Sequence, residues 1–219
     1  MLSRVSRREI WLAASVDFEE LRRRCAVKLF LCATNVRTGK IKVFEAHEAS
    51  ADAVLASSCL PFLFHAVEID GEAYWDGGYM GNPAIFPLIY GCESRDVVIV
   101  HINPICRPDV PTTAATIMNR INEISFNSSL MREMRAVAFV SRMIDDGKVA
   151  EGTMKRMLIH AIEAEAFMGE LGVSSKLNAD WSFLTRLCHA GRTAAERWLA
   201  GNYDRLGQES TAAVQDLYL

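Results

Sequence analysis

Long apolar runs are missing from this sequence. No stretch approaches the ~20 consecutive apolar residues that a membrane-spanning helix needs. The N-terminal MLSRVSRREIWLAASVDFEE has only a short, interrupted apolar segment where a signal peptide would carry its core. A surplus of charge is missing too: 24 Lys and Arg against 27 Asp and Glu leave a net charge of -3, which gives no electrostatic case for nucleic acid. The basic run Arg22–Arg24 falls in a helical pattern, DFEELRRRC, and reads as a solvated helix face. Six cysteines are present without a C-x-x-C pair. Scattered through apolar surroundings, they read as reduced core thiols of a cytoplasmic protein. The five histidines never combine with each other or with cysteines into two close ligand pairs, so no metal is expected. There is no internal repeat and no low-complexity tract.

What is present is a chain of 219 residues, half of them hydrophobic. That is enough for one compact domain with a substantial core, or one domain plus an appendage. AVKLFLCAT, Ala26–Thr34, is a short apolar run of the kind found in a strand buried on both faces. RTGK then makes a turn and IKVFEA alternates as a paired strand. Ser50 can cap a helix over ADAVLASS, which Pro61 helps to end. DVVIVHI, Asp96–Ile102, is a second buried-strand run.

From about Pro111 the character changes. Ile117, Ile121, Ile124, Met131, Met134 and Val137 recur close to helical spacing. EGTMKRMLIHAIEAEAF and DWSFLTRLCHAGRTAAERWLAG also read as helices, the last ended by Gly201. The expectation is an α/β part over residues 1–110 and a helical region over 111–219. The stripe of Ile and Met reads as core, with contact to a membrane surface as the alternative.

Two Asp-Gly pairs lie in EIDGEAYWDGGYMGNP, Glu68–Pro83. Asp70-Gly71 stands between two strand-like arms, VEI and EAYW, and a tight hairpin turn explains it. Asp76 has no second arm to pair at once. Gly77 and Gly78 would let the backbone take left-handed angles and pass close to another group, so the loop is either an ordinary connection or a holder for a carboxylate at a strand end.

Asp-Gly-Gly after an apolar strand, followed by Asn82-Pro83, resembles the catalytic aspartate motif of patatin-like phospholipases. ATNVRTGKIKVF is similar to that family's strand-turn-strand. ASSCLPFLFHAVEIDGEAYWDGG is similar to its helix, proline turn, hairpin and Asp loop, in that order. The resemblance runs from about Leu21 to Pro104 and extends less closely to AGRTAAERWLAG. It implies a partial three-layer α/β/α fold followed by a helical C-terminal region packed on it. It also implies hydrolysis of lipid acyl esters by a Ser-Asp dyad that uses no histidine, metal or cofactor. Asp76 is then the general base, accepting the serine proton and returning it to the leaving alcohol. Gly77 and Gly78 form its supporting loop, and burial near Trp75 and Tyr79 would raise its pKa.

The resemblance leaves a gap. The family's nucleophile is the serine of a G-x-S-x-G turn, and this chain contains neither that pattern nor a glycine-rich oxyanion loop. Ser57 and Ser58 end a helix without a glycine elbow, and His65 borders an apolar run where packing explains it. The chain is therefore expected to be the C-terminal part of a patatin-like protein, inactive by itself and missing the N-terminal half of the same fold. Uncovered sheet edges should make it self-associate. The competing expectation is a non-catalytic remnant of the scaffold that binds lipid or a partner through its helical half. A phosphate-cradling role for WDGGYMG fits neither a P-loop nor G-x-G-x-x-G.

Overall fold

A computed structural model describes residues 7–61, 63–150, 152–172, 175 and 178–219. The chain is a mixed α/β protein with a helical C-terminal region, and it separates into two compact units, Met1–Cys92 and Glu93–Leu219. The composition changes near Pro111, but compactness divides the chain earlier, because the strand at Asp96–His101 pairs within the second unit.

The first unit begins with α1 (Arg7–Ser15) and α2 (Phe18–Arg24). Asp17 caps α2 by accepting the Glu20 N–H at 2.9 Å. Arg22, Arg23 and Arg24 are all exposed, as a solvated face requires; Arg23 and Arg24 pair with Glu20, and Arg22 donates to the Ala49 carbonyl at 2.7 Å.

Four antiparallel strands follow: β1 (Phe30–Asn35), β2 (Ile41–Glu45), β3 (Val67–Ile69) and β4 (Glu72–Asp76), in the spatial order β2-β1-β4-β3. The first turn works because the Asn35 side-chain oxygen accepts the N–H groups of Arg37 and Thr38. The second works because Asp70 and Gly71 take φ values of 50° and 79°, as a two-residue hairpin turn requires.

Helix α3 (Ala51–Ser57), capped by Ser50, covers one face of this sheet. Ala53 and Ala56 of α3 and Ala33 of β1 are completely buried, and their small side chains let helix and sheet approach closely. Phe44 and Tyr74 close the core edge to face, 5.5 Å apart. The apolar run is less buried than the sequence suggested. Val27 is 72% exposed, and within β1 only Ala33 and Thr34 are buried. A short α4 (Phe86–Gly91) ends the unit.

The second unit pairs β5 (Asp96–His101) with β6 (Leu158–Glu163) in parallel, in register from Asp96↔Leu158 to His101↔Glu163. The crossover between them contains α5 (Ala114–Asp145), 32 residues and about 48 Å long at 1.5 Å per residue. The helix expected over EGTMKRMLIHAIEAEAF is instead β6 followed by the short α6 (Glu165–Gly169). Met157, Leu158, Ile159 and His160 are all buried. Such a continuous apolar run suits a covered parallel strand, and pairing with β5 overrides the local helical pattern. Helix α7 (Trp181–Asn202) starts at the Asp180 cap and runs through Gly201 rather than stopping there; α8 (Val214–Tyr218) follows.

Polar clamps hold this unit together. Glu123 of α5 is 8% exposed and takes hydrogen bonds from Arg107 and Arg120; Arg107 also reaches the Gly169 and Leu171 carbonyls. Burial works to raise the Glu123 pKa, but the two guanidinium groups outweigh it and hold the carboxyl below its usual range. His160 is fully buried. Its ring nitrogens meet the Thr211 hydroxyl at 2.9 Å and the Asp96 carboxylate at 3.0 Å.

Burial departs from expectation in the α5 stripe and at the thiols, as it does in the apolar run of the first unit. Phe126, Leu130, Met134 and Val137 face the core, but Ile117, Ile121 and Ile124 are 40–54% exposed, so the start of the α5 stripe is surface. Cys106 and Cys188 are exposed, as is Cys25, and only Cys59 of the six is buried; none forms a disulfide. No helix among the described residues is long and apolar enough to cross a membrane.

Candidate active site

Asp76 is the last residue of β4, and main-chain bonds to two distant segments fix its position. It pairs with Ala33 across the strand boundary. Its N–H donates to the Cys59 carbonyl at 2.8 Å, just beyond α3, and its own carbonyl accepts the Thr34 hydroxyl at 2.9 Å. The carboxylate folds over the following turn, and Oδ1 accepts the Gly78 N–H at 2.8 Å. Asp76 thus caps a single 3-10 turn, Gly77–Tyr79, and is half-buried.

Gly77 is needed for space. A Cβ there would lie 2.1 Å from the Cys32 carbonyl oxygen and 2.4 Å from its carbon. The left-handed angles expected at Gly77 and Gly78 are not used, since both sit in the right-handed 3-10 turn. Both glycines are buried.

Side-chain alternation along β4 puts Asp76 on the same face as Tyr74, and Trp75 on the other. Of the two expected neighbours, Tyr79 is the one whose electrostatics register the aspartate. Burial, and then the negative charge of Asp76, push its phenol above the usual range. The anchors Thr34, Cys32 and Cys59 escaped the sequence reading. They lie far from Asp76 along the chain and carry no motif of their own.

The other candidates are placed elsewhere in function. The Ser57 hydroxyl donates to the Val54 carbonyl at 2.7 Å, and Ser58 donates to Val54 and Leu55. Both therefore back-bond their own helix. His65 is exposed rather than packed; its carbonyl accepts the Cys59 thiol at 3.1 Å. Among the described residues no group of three or more His, Cys, Asp or Glu side chains could hold a metal ion.

A search of curated proteins returned no match. A family comparison matches residues 15–89 to the patatin-like phospholipases, a hydrolytic family. The matched segment takes in all four antiparallel strands, α3 and the Asp76 loop, and stops before β5. Residues 15–89 are therefore similar to the patatin-like phospholipase domain.

Proposed function

We propose that Asp76 is the proton-accepting carboxylate of a lipid acyl-ester hydrolase of the Ser-Asp kind, with the serine and oxyanion donors contributed by polypeptide beyond this sequence. One observation carries the reading: a half-buried aspartate at a strand end whose main chain is fixed by Thr34 and Cys59 and whose carboxylate accepts the Gly78 N–H, on a turn that only glycine can enter. A general base must be positioned before it can be effective. In the reaction the serine oxygen attacks the ester carbonyl carbon while Asp76 takes the hydroxyl proton. Collapse of the tetrahedral intermediate breaks the bond to the alcohol, which leaves with that proton. Water then hydrolyses the acyl-serine, again with Asp76 as base.

The second unit is consistent with a fold completed from outside. Val98 and Val100 point from one side of β5 and are 43% and 67% exposed, and Ile102 just beyond the strand is 59% exposed. A parallel strand of this composition is ordinarily covered on both faces. We place the protein in the cytoplasm on its thiol-rich composition.

The test uses the complete, active protein. Asp76→Asn should lower turnover of a short-chain nitrophenyl ester by about 10²-fold or more without lowering the melting temperature. Near-normal turnover would overturn the role of Asp76. The 219-residue chain alone should show no turnover.

A second reading rests on α5. Ile117, Met118, Ile121 and Ile124 are 40–54% exposed on successive turns and form an apolar strip suited to a membrane surface. Sedimentation with neutral and anionic liposomes tests it, and absence of binding to both removes it.

A further inference from the structure

We infer that the second unit carries its own binding site for the carboxylate and chain of a single fatty acid. An open groove with about 500 Å³ of space lies between α5, the segment entering β6 and residues 210–215. Its size falls within the range of small-molecule sites. Ala138, Ala212 and Val214 supply its accessible apolar lining, with the buried Val137, Met157 and Ile159 behind them. Hydrogen bonds fix one wall of the groove. The N–H groups of Thr211 and Ala212 both donate to the Ile159 carbonyl, and the Ser210 hydroxyl accepts the Ile159 N–H at 3.0 Å. These contacts fix residues 210–212 against β6.

The rim determines the kind of ligand. Asp145 is fully engaged by Arg156, one oxygen to Nε at 2.8 Å and the other to Nη2 at 3.1 Å, so this pair is neutral. Arg142 also lines the groove, and among the described residues no carboxylate lies within ion-pair distance of it; its guanidinium sits 5.8 Å from the centre of the Phe139 ring. The end of α5 contributes an opposing partial charge of about -0.5. Arg142 still leaves the rim net positive, with a planar fork that matches a carboxylate through two parallel hydrogen bonds. A monoanion with one apolar tail fits the combination, since one groove accepts one chain and one unpaired guanidinium accepts one head group.

The site stands on the groove and does not need Asp76. If the proposed hydrolysis is correct, a fatty acid is the product that reaction releases. The full 219-residue chain should be titrated calorimetrically with dodecanoate, kept below its micelle-forming concentration, and with methyl dodecanoate. Dodecanoate should saturate at one equivalent and bind about 10-fold more tightly than the uncharged ester. Arg142→Gln, at an exposed helical position, should remove that advantage while leaving methyl ester binding unchanged. Ala138→Phe, which fills the groove, should abolish binding of both, with helical circular dichroism as the folding control. Equal wild-type affinities, unsaturable uptake, or unchanged dodecanoate affinity in Arg142→Gln would each overturn the proposal. Neither ligand binding nor its loss reports on ester cleavage, so this experiment can fail while the Asp76 reading survives, and the reverse.

Discussion

The two units achieve order by different routes. The first is made of neighbours: β1 with β2 and β3 with β4 are hairpins, and a core of alanines packs against Phe44 and Tyr74. The second is made of distant partners. β5 meets β6 only after a long crossover, and charged or polar side chains tie the pieces together: Arg107 and Arg120 to Glu123, and Asp96 through His160 to Thr211. A hairpin unit depends on exact backbone fit, while a unit of remote segments depends on keeping its buried polar groups paired. The two are therefore vulnerable to different substitutions.

The largest effect should come from testing backbone fit in the first unit. Gly77→Ala drives a Cβ into the Cys32 carbonyl and should cost about 4 kcal/mol or more, read as collapse of the first unit's denaturant transition. Gly39→Ala is the contrast. Nothing lies within 4 Å of the added atom there and only the φ of 65° opposes it, so the cost should stay near 1 kcal/mol. Similar losses at the two positions would break the comparison.

In the second unit, Glu123→Ala strands Arg107 and Arg120 and should cost about 3 kcal/mol by denaturant unfolding. Acid should act in the same place. The folded-state pKa of Glu123 is lowered, and so is that of Asp96, where burial is outweighed by the Gly207 N–H, His160 and Arg95. Lowered values mean that this stability is present above the ordinary carboxylate range and is lost as pH falls through the folded values. A pH series of melting curves should show the second unit weakening first. If the first unit yields earlier, the contrast is wrong. The smallest effect belongs to Asp145→Asn, which breaks an exposed pair with Arg156; the unfolding midpoint should not move measurably.

The sequence was most informative where structure is local. Asp70-Gly71 and the Ser50 cap each carry their chemistry within a few residues, and each folds as that chemistry suggests. It was least informative where the partner is remote. LIHAI became a strand because β5 lies beside it, a fact that no window around Ile159 contains. The exposed Ile117, Ile121 and Ile124 carry the same helical spacing as the buried Met134 and Val137, and periodicity alone does not say which turns find a cover. At the candidate site the aspartate and its glycines were legible, but Thr34 and Cys59 were not, and the requirement at Gly77 proved to be room rather than torsion.

That crowding at position 77 makes inheritance lopsided. It is chiefly the carbonyl of residue 32 that fills the space, and every amino acid brings a carbonyl. Position 77 thus admits one letter only, and would do so whichever residue stood at 32, because main chain rather than a side chain dictates its occupant.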